Sequence, residues 1–322
     1  MKKILMIAAA VALSTSAMAA DLKMPAKAAP PPPPPSPWDI AFGGSIASDY
    51  IWRGITQSNH RPSVSAYTEL RYNSSPTLQW YAGISGESIS FPNQAAAEID
   101  IYGGVRPTFG PLALDIGFWQ YYYPGGQCYS GIAAAPCIPS PLGNFAAKED
   151  WHFYEVFAKG TWTFNDQWAA GFNVWYSPNI LNTGADGTYV SGTLKYTATA
   201  AQALFAGQVG WYVSGEFGGQ FLGTSDAFYG TGPGTVYAAG VPYVDYATWN
   251  VGLGFTWKVF TLDLRYYDTD LSKGDCAVYT SAHTAAYGLA PTNYNPAGVS
   301  SNWCDARFVA KLSFDLTLAN LK

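Results

Sequence analysis

From Trp38 onward the chain repeats one pattern. Apolar and polar residues alternate with a period of two, in segments of about ten residues, and the pattern never gives way to a long apolar run. In "WDIAFGGSIAS", Trp38, Ile40, Phe42, Gly44 and Ile46 share one face, while Asp39, Ala41, Gly43, Ser45 and Ala47 share the other. "VSAYTELRY" sets Val64, Ala66, Leu70 and Tyr72 against Ser65, Tyr67, Glu69 and Arg71, and "AEIDIYGGVR" sets Ile99, Ile101 and Val105 against Glu98, Asp100 and Arg106. "LALDIGFWQYYY" opposes Leu112, Leu114, Ile116 and Phe118 to Asp115, Trp119 and Tyr121. A chain written this way makes strands with one greasy and one wet face. About twelve such segments run to "ARFVAKLSFDL", each close to the 9–11 residues that cross a bilayer when tilted.

The connections alternate as well. "NSSP", "PTFGP", "FND", "ATAAQ" and a turn near Trp257 and Lys258 are short; residues 124–149, 178–187, 218–242 and 271–303 are long. Short turns on one rim and long loops on the other are the pattern of an outer-membrane barrel. Closure follows from solvent: lipid offers no partner to a backbone N–H or C=O, so a sheet survives there only without edges. The expected fold is therefore all-β, a transmembrane antiparallel β-barrel of about twelve strands in an up-and-down meander. Composition separates this from a soluble β-sandwich. Charged residues are only 12% and aromatic residues 16%, too few charges for a sheet whose outer face meets water.

Residues 1–19 read as a signal peptide: Lys2 and Lys3, an apolar run from Ile4 to Leu13, then Ala17-Met18-Ala19. The run is too short to span a bilayer. Residues 20–37, ending in Pro30 to Pro35 and Pro37, read as an extended periplasmic linker, and 38–322 as the barrel. Loss of Lys2 and Lys3 takes the formal charge from −5 to −7, which excludes nucleic acid as a partner. Export places Cys128, Cys137, Cys276 and Cys304 in an oxidising compartment, where proximity pairs Cys128 with Cys137 and Cys276 with Cys304. Neither spacing suits zinc, and no cofactor or metal site is expected. "DTDLSKGD", Asp268 to Asp275, gathers carboxylates without calcium-loop spacing.

The parity of the first strand, continued through "SDYIWRGITQS", turns Tyr50 and Trp52 outward and Asp49 and Arg53 inward. Trp38 then marks the lower aromatic girdle and Tyr50 with Trp52 the upper one. "SDYIWRGITQS", "PSVSAY" and "WYAGISGES", with "LDLRYYDTDLS" near the end, resemble the TorF-like porin family. The resemblance implies an outer-membrane barrel that acts as a porin. The chain departs from it in its long cysteine-bearing loops, and it ends "FDLTLANLK", so that Phe314 is the candidate assembly signal from an internal position.

Inward parity gives the expected pore lining. Along the first half it is Asp39, Asp49, Arg53, Glu69, Arg71, Glu87, Glu98, Asp100, Arg106 and Asp115; along the second it is Glu155, Lys159, Lys195, Glu216, Asp263, Arg265, Arg307 and Lys311. Facing charges set the field that a solute crosses. The expected function is passive diffusion of small hydrophilic solutes through the bacterial outer membrane, against the alternative of a non-transporting barrel with a structural or adhesive role through its loops. The partners expected are outer-membrane lipid and lipopolysaccharide, the barrel-assembly machinery and the solutes, with either a monomer or a homo-oligomer such as a trimer. An enzyme is not expected: His60, His152 and His283 fall in loops or at a strand start, without a serine at a matched position.

Overall fold

The computed structural model describes residues 37–128 and 146–318. Twelve strands form one closed barrel: β1 (Trp38–Ala47), β2 (Ser63–Ser75), β3 (Leu78–Glu87), β4 (Glu98–Phe109), β5 (Leu112–Tyr122), β6 (Phe153–Thr163), β7 (Trp168–Ser177), β8 (Gly187–Thr197), β9 (Gly210–Leu222), β10 (Tyr246–Trp257), β11 (Phe260–Thr269) and β12 (Arg307–Thr317). Each pairs antiparallel with its neighbours in sequence, and β12 closes on β1 from Ala41↔Thr317 to Ala47↔Lys311. Apart from a register shift between Asn73 and Ser75, Cβ alternation then sorts the side chains: Ile46, Val64, Ile101, Ile116, Val251 and Leu262 stand exposed on the outer wall, while Glu69, Asp100 and Glu155 face in. A wall apolar outside and charged inside is built for lipid, and the barrel is of the bacterial outer-membrane kind.

Aromatic side chains mark the two rims. At the short-turn rim Trp38 packs on Tyr72 at 4.6 Å, and Trp80, Phe109, Trp162, Trp168, Trp257 and Phe260 continue the ring. Phe314 lies on this rim of the closing strand, opposite Phe260. At the other rim the outward aromatics are Tyr122, Tyr154, Tyr176, Phe221 and Phe308. Tyr50 and Trp52, expected there, are not among them, because β1 stops at Ala47 and the chain then turns inward.

The two-residue connections at 76–77, 110–111 and 258–259 and the four-residue turn at 164–167 match the expected short rim. The connection from β8 to β9 is longer than "ATAAQ". It spans residues 198–209 and folds on itself, with Gln202 Oε1 accepting from Thr199 N at 2.9 Å and Leu204 bridging Val209. On the opposite rim, residues 270–306 contain a helix, α1 (Lys273–Thr280), where a plain loop was expected. Ser272 caps it by accepting from the Asp275 amide at 3.1 Å, which is why the carboxylates of "DTDLSKGD" start a helix instead of circling an ion. Cys276 on α1 is bonded to Cys304. Cys128 is also disulfide-bonded, and Cys137 lies outside the described residues.

A barrel wall has no core of its own when its lumen is wet, and here the apolar core sits at the outer end. Phe91, Tyr123, Trp151, Ile180, Val241, Tyr243, Tyr279 and Trp303 pack together beneath the long loops. Phe91 lies 5.1 Å from Tyr123 and 5.2 Å from Trp151, ring to ring. Among the described residues, packed side chains thus fill much of the loop end of the barrel.

Candidate functional site

The stretch that opens this site is "SDYIWRGITQS". After Ala47 the backbone leaves the barrel wall, held at its exit by Ser48, whose amide donates to Ala310 O at 2.9 Å. Ile51 then pairs with Thr56 and Trp52 with Ile55, which makes a hairpin whose two-residue turn is Arg53-Gly54. Both turn residues have positive φ, +48° and +83°, as the tight turn that matches strand twist requires. Glycine is needed for a second reason: a Cβ on Gly54 would collide with Thr248 and Thr269 of the facing wall. The base of the hairpin is tied by one carboxylate. Asp49 Oδ1 accepts from Thr56 Oγ1 at 2.6 Å and from Ser58 Oγ at 2.8 Å, and its Oδ2 lies 3.3 Å from His60 Nδ1.

Arg53 at the tip reaches across the barrel. Its Nη2 donates to both oxygens of Glu155 at 2.9 and 2.8 Å, and Nη1 donates to Gln220 Oε1 at 2.8 Å. Its guanidinium lies 4.3 Å from the Trp52 ring and 4.7 Å from Tyr189. Burial alone would lower the Arg53 pKa, and the Glu155 carboxylate outweighs it, so the side chain stays charged. Trp52 meets Tyr121 and Phe153 edge to face, and Tyr50 donates to Glu98 Oε1 at 2.6 Å. Burial, then Glu98, pushes the Tyr50 phenol well above its ordinary pKa, which keeps it a donor. Asp49 and Arg53 therefore do face the lumen, but from an inserted hairpin and not from a strand. Tyr50 and Trp52 are lumen residues, and this corrects their assignment to the outer girdle.

Most of the remaining charges on the inner wall have a partner of opposite sign or a polar or ring contact, while Glu87, Glu98 and Asp100 cluster together. Glu69 accepts from Arg71 and, at 2.7 Å, from Arg106 Nη1; Asp115 takes Lys159 at 3.2 Å and Arg106 at 3.4 Å. Asp263 holds Arg265 at 2.9 Å and faces Lys311 in register. Glu216 accepts from Tyr189 and Asn250, and Lys195 lies 4.2 Å over the Tyr212 ring. Arg307 contacts His60 at 3.1 Å and Asp49 at 3.9 Å.

Exposure divides the lumen in two. Arg106 and Lys159 are 29% and 32% exposed although they point into the barrel, so water reaches them. Arg53 and Glu155, nearer the loops, are 6% and 0% exposed. Between the two levels lies a cavity of about 440 Å³, lined by Tyr50, Arg53, Glu87, Asp100, Glu216 and Arg265 among others. A second cavity of about 560 Å³ opens at the lower mouth beside Arg106, Asp115 and Lys159. Gln220, Trp175 and Tyr189 were not singled out from sequence, and Trp119 only as a residue of the inward face; inward parity was the only sign they gave.

His152 accepts from the Tyr123 amide through Nδ1 at 2.9 Å, and His283 lies 5.6 Å from Trp303, edge to face. Both histidines are engaged in holding loops together.

Residues 32–134 match the family described as "Bacterial protein of unknown function (Gcw_chp)". No curated protein matches. Among solved structures the chain is similar to the KdgM porin in complex with disordered oligogalacturonate, at 8% identity and a TM-score of 0.41, covering 86% of this chain and 98% of that one. It is also similar to the NanC porin, at 9% and 0.40, covering 86% and 100%. The outer membrane protein OmpT of Vibrio cholerae gives 10% and 0.37, covering 88% and 99%. Likeness at these values assigns nothing to the chain, and the barrel rests on its own closed register.

Proposed function

We propose that the protein is an outer-membrane diffusion channel for small hydrophilic solutes, held closed at its outer end by the Arg53 hairpin. Residues 1–19 would serve as the export signal and 20–37 as the periplasmic spacer, and the TorF-like kinship belongs to the same proposal. One observation carries the reading: inward-facing ion pairs in the lower barrel remain solvent-exposed, and the exposure ends where the hairpin crosses. A barrel that served only as a support would fill its interior with packed side chains, as the upper third of this one does. The hairpin pairs with no barrel strand and is held by polar contacts, ring edges and the buried Ile55, so its removal is expected to keep the twelve-strand register.

The second reading is a non-transporting barrel, and the apolar packing of the outer loops favours it. Planar-bilayer recording separates the two. The full chain is expected to give small or infrequent steps, and a folded chain with residues 49–61 replaced by a short turn to give larger, steady ones. A silent membrane with the shortened barrel at high protein load decides for the second reading.

A further inference from the structure

We propose that Glu87, Glu98 and Asp100 form a binding site for one hard divalent cation of calcium's size, set in the barrel wall beside the hairpin. Glu87 ends β3 and Glu98 opens β4, where the register pairs them directly, and Asp100 stands opposite Ser85. One carboxylate oxygen from each of the three lies within 4.8 Å of the others. Calcium binds oxygen at about 2.3–2.6 Å in flexible shells of six to eight, and magnesium at about 2.0–2.1 Å in a strict octahedron, so a loosely spaced set of three carboxylates completed by water suits calcium better.

A second observation points to a ligand. Asp100 is 3% exposed, yet its Oδ1 has no hydrogen-bond partner, and the buried Oε2 of Glu87 has none either. Buried acceptors are almost always met, and two unmet carboxylate oxygens in one cluster call for positive charge. No lysine or arginine among the described residues forms an ion pair with any of the three, whereas Glu155, as deeply buried, takes Arg53. The other oxygens are held in place: Glu98 accepts from Tyr50 and from Tyr123 at 3.0 Å, and Asp100 Oδ2 accepts from Ser85 at 3.0 Å. These donors fix where the carboxylate oxygens point and leave lone pairs for a metal. Glu87 and Asp100 also line the 440 Å³ cavity, which can supply water to complete a shell of six to eight oxygens. Because Tyr50 hangs on Glu98, the ion braces the first arm of the hairpin against the wall. The site does not depend on the channel reading.

Terbium is the probe, added to the purified, folded full-length protein in detergent. Trp119 lines the same cavity, so indole excitation should sensitise terbium emission. The expected result is saturable emission that calcium displaces, with affinity reduced at least about tenfold in Asp100→Asn and in Glu87→Gln. Glu87 is only partly buried at a strand end, so its variant keeps the test open should Asp100→Asn fail to fold. Absence of a saturable signal at millimolar terbium overturns the site and leaves three carboxylates that share protons. Equal affinity in the wild type and Glu87→Gln overturns it also, since the ion would then be bound elsewhere.

Discussion

Arg53 shows how much one side chain can settle, and why its surroundings were only partly legible. The residues before it keep the alternation of β1, so that Tyr50 and Trp52 continue the outward parity of Trp38 to Ile46. A competing signal stood in the same letters: Arg53-Gly54 lies between the β-branched or aromatic pairs Ile51-Trp52 and Ile55-Thr56, and a glycine in a two-residue loop is a hairpin turn. What sequence could not supply is the partner, since Glu155 and Gln220 lie 102 and 167 residues away. The pair they make is dry, which fixes its energetics. Removing one member of a buried pair strands the other charge, at a cost of about 3–5 kcal/mol, while replacing both with apolar groups is close to neutral. Arg53→Ala is therefore expected to lower unfolding stability in detergent and urea by an amount in that range, and Arg53→Met combined with Glu155→Leu to recover most of the loss. Arg53→Lys should recover little, because an ammonium cannot form the two-oxygen contact. Equal stability of Arg53→Ala and the wild type would show that the hairpin tip adds nothing to folding.

At the scale of elements, strands were legible and loops were not. The period of two specifies a strand wherever lipid faces one side, because a slip of one residue would turn Glu69 or Asp263 into the bilayer. No such demand acts on residues 270–306, where α1 depends on a local cap and the loop packs through Trp303, Tyr279 and the Cys276–Cys304 bond. His283 belongs to this packing and gives it a pH dependence. Burial, then the Arg61 guanidinium, lowers the His283 pKa below its usual value. The packed loop thus favours neutral imidazole: its stability is present above the unfolded value of about 6.5 and is lost as pH falls through the folded value. Limited proteolysis of the folded barrel is expected to cut residues 270–306 faster at pH near 5 than near 7.5, and His283→Asn to flatten the difference. A cutting rate that rises equally in wild type and variant would assign the acid response to another group.

Across the whole molecule, the strand count, the closure and the inner face follow from alternation, while the division of the lumen into a wet lower part and a dry upper part does not. That division arises from packing between loops distant in sequence, and it separates charge. On the inner wall below and beside the hairpin, Arg71, Arg106, Lys159, Lys195, Arg265 and Lys311 balance Asp39, Glu69, Asp115, Glu216, Asp263 and Asp315 one for one. The upper level sets Asp49, Glu87, Glu98, Asp100 and Glu155 against Arg53 and Arg307, three more carboxylates than cations. Replacing residues 49–61 removes Asp49 together with Arg53 and Arg61, so the opened lumen keeps its acidic level and loses the arginine that capped Glu155. Charge at the narrowest level dominates selectivity, because there the field is least screened and the ion passes nearest the wall. A potassium chloride gradient across a bilayer holding the shortened barrel, recorded with a chelator present, is expected to give a reversal potential of the sign for cation preference. Glu155→Gln in the same background should move it toward zero, and a shift toward anion preference in either chain would place the selecting charges in the balanced lower wall instead.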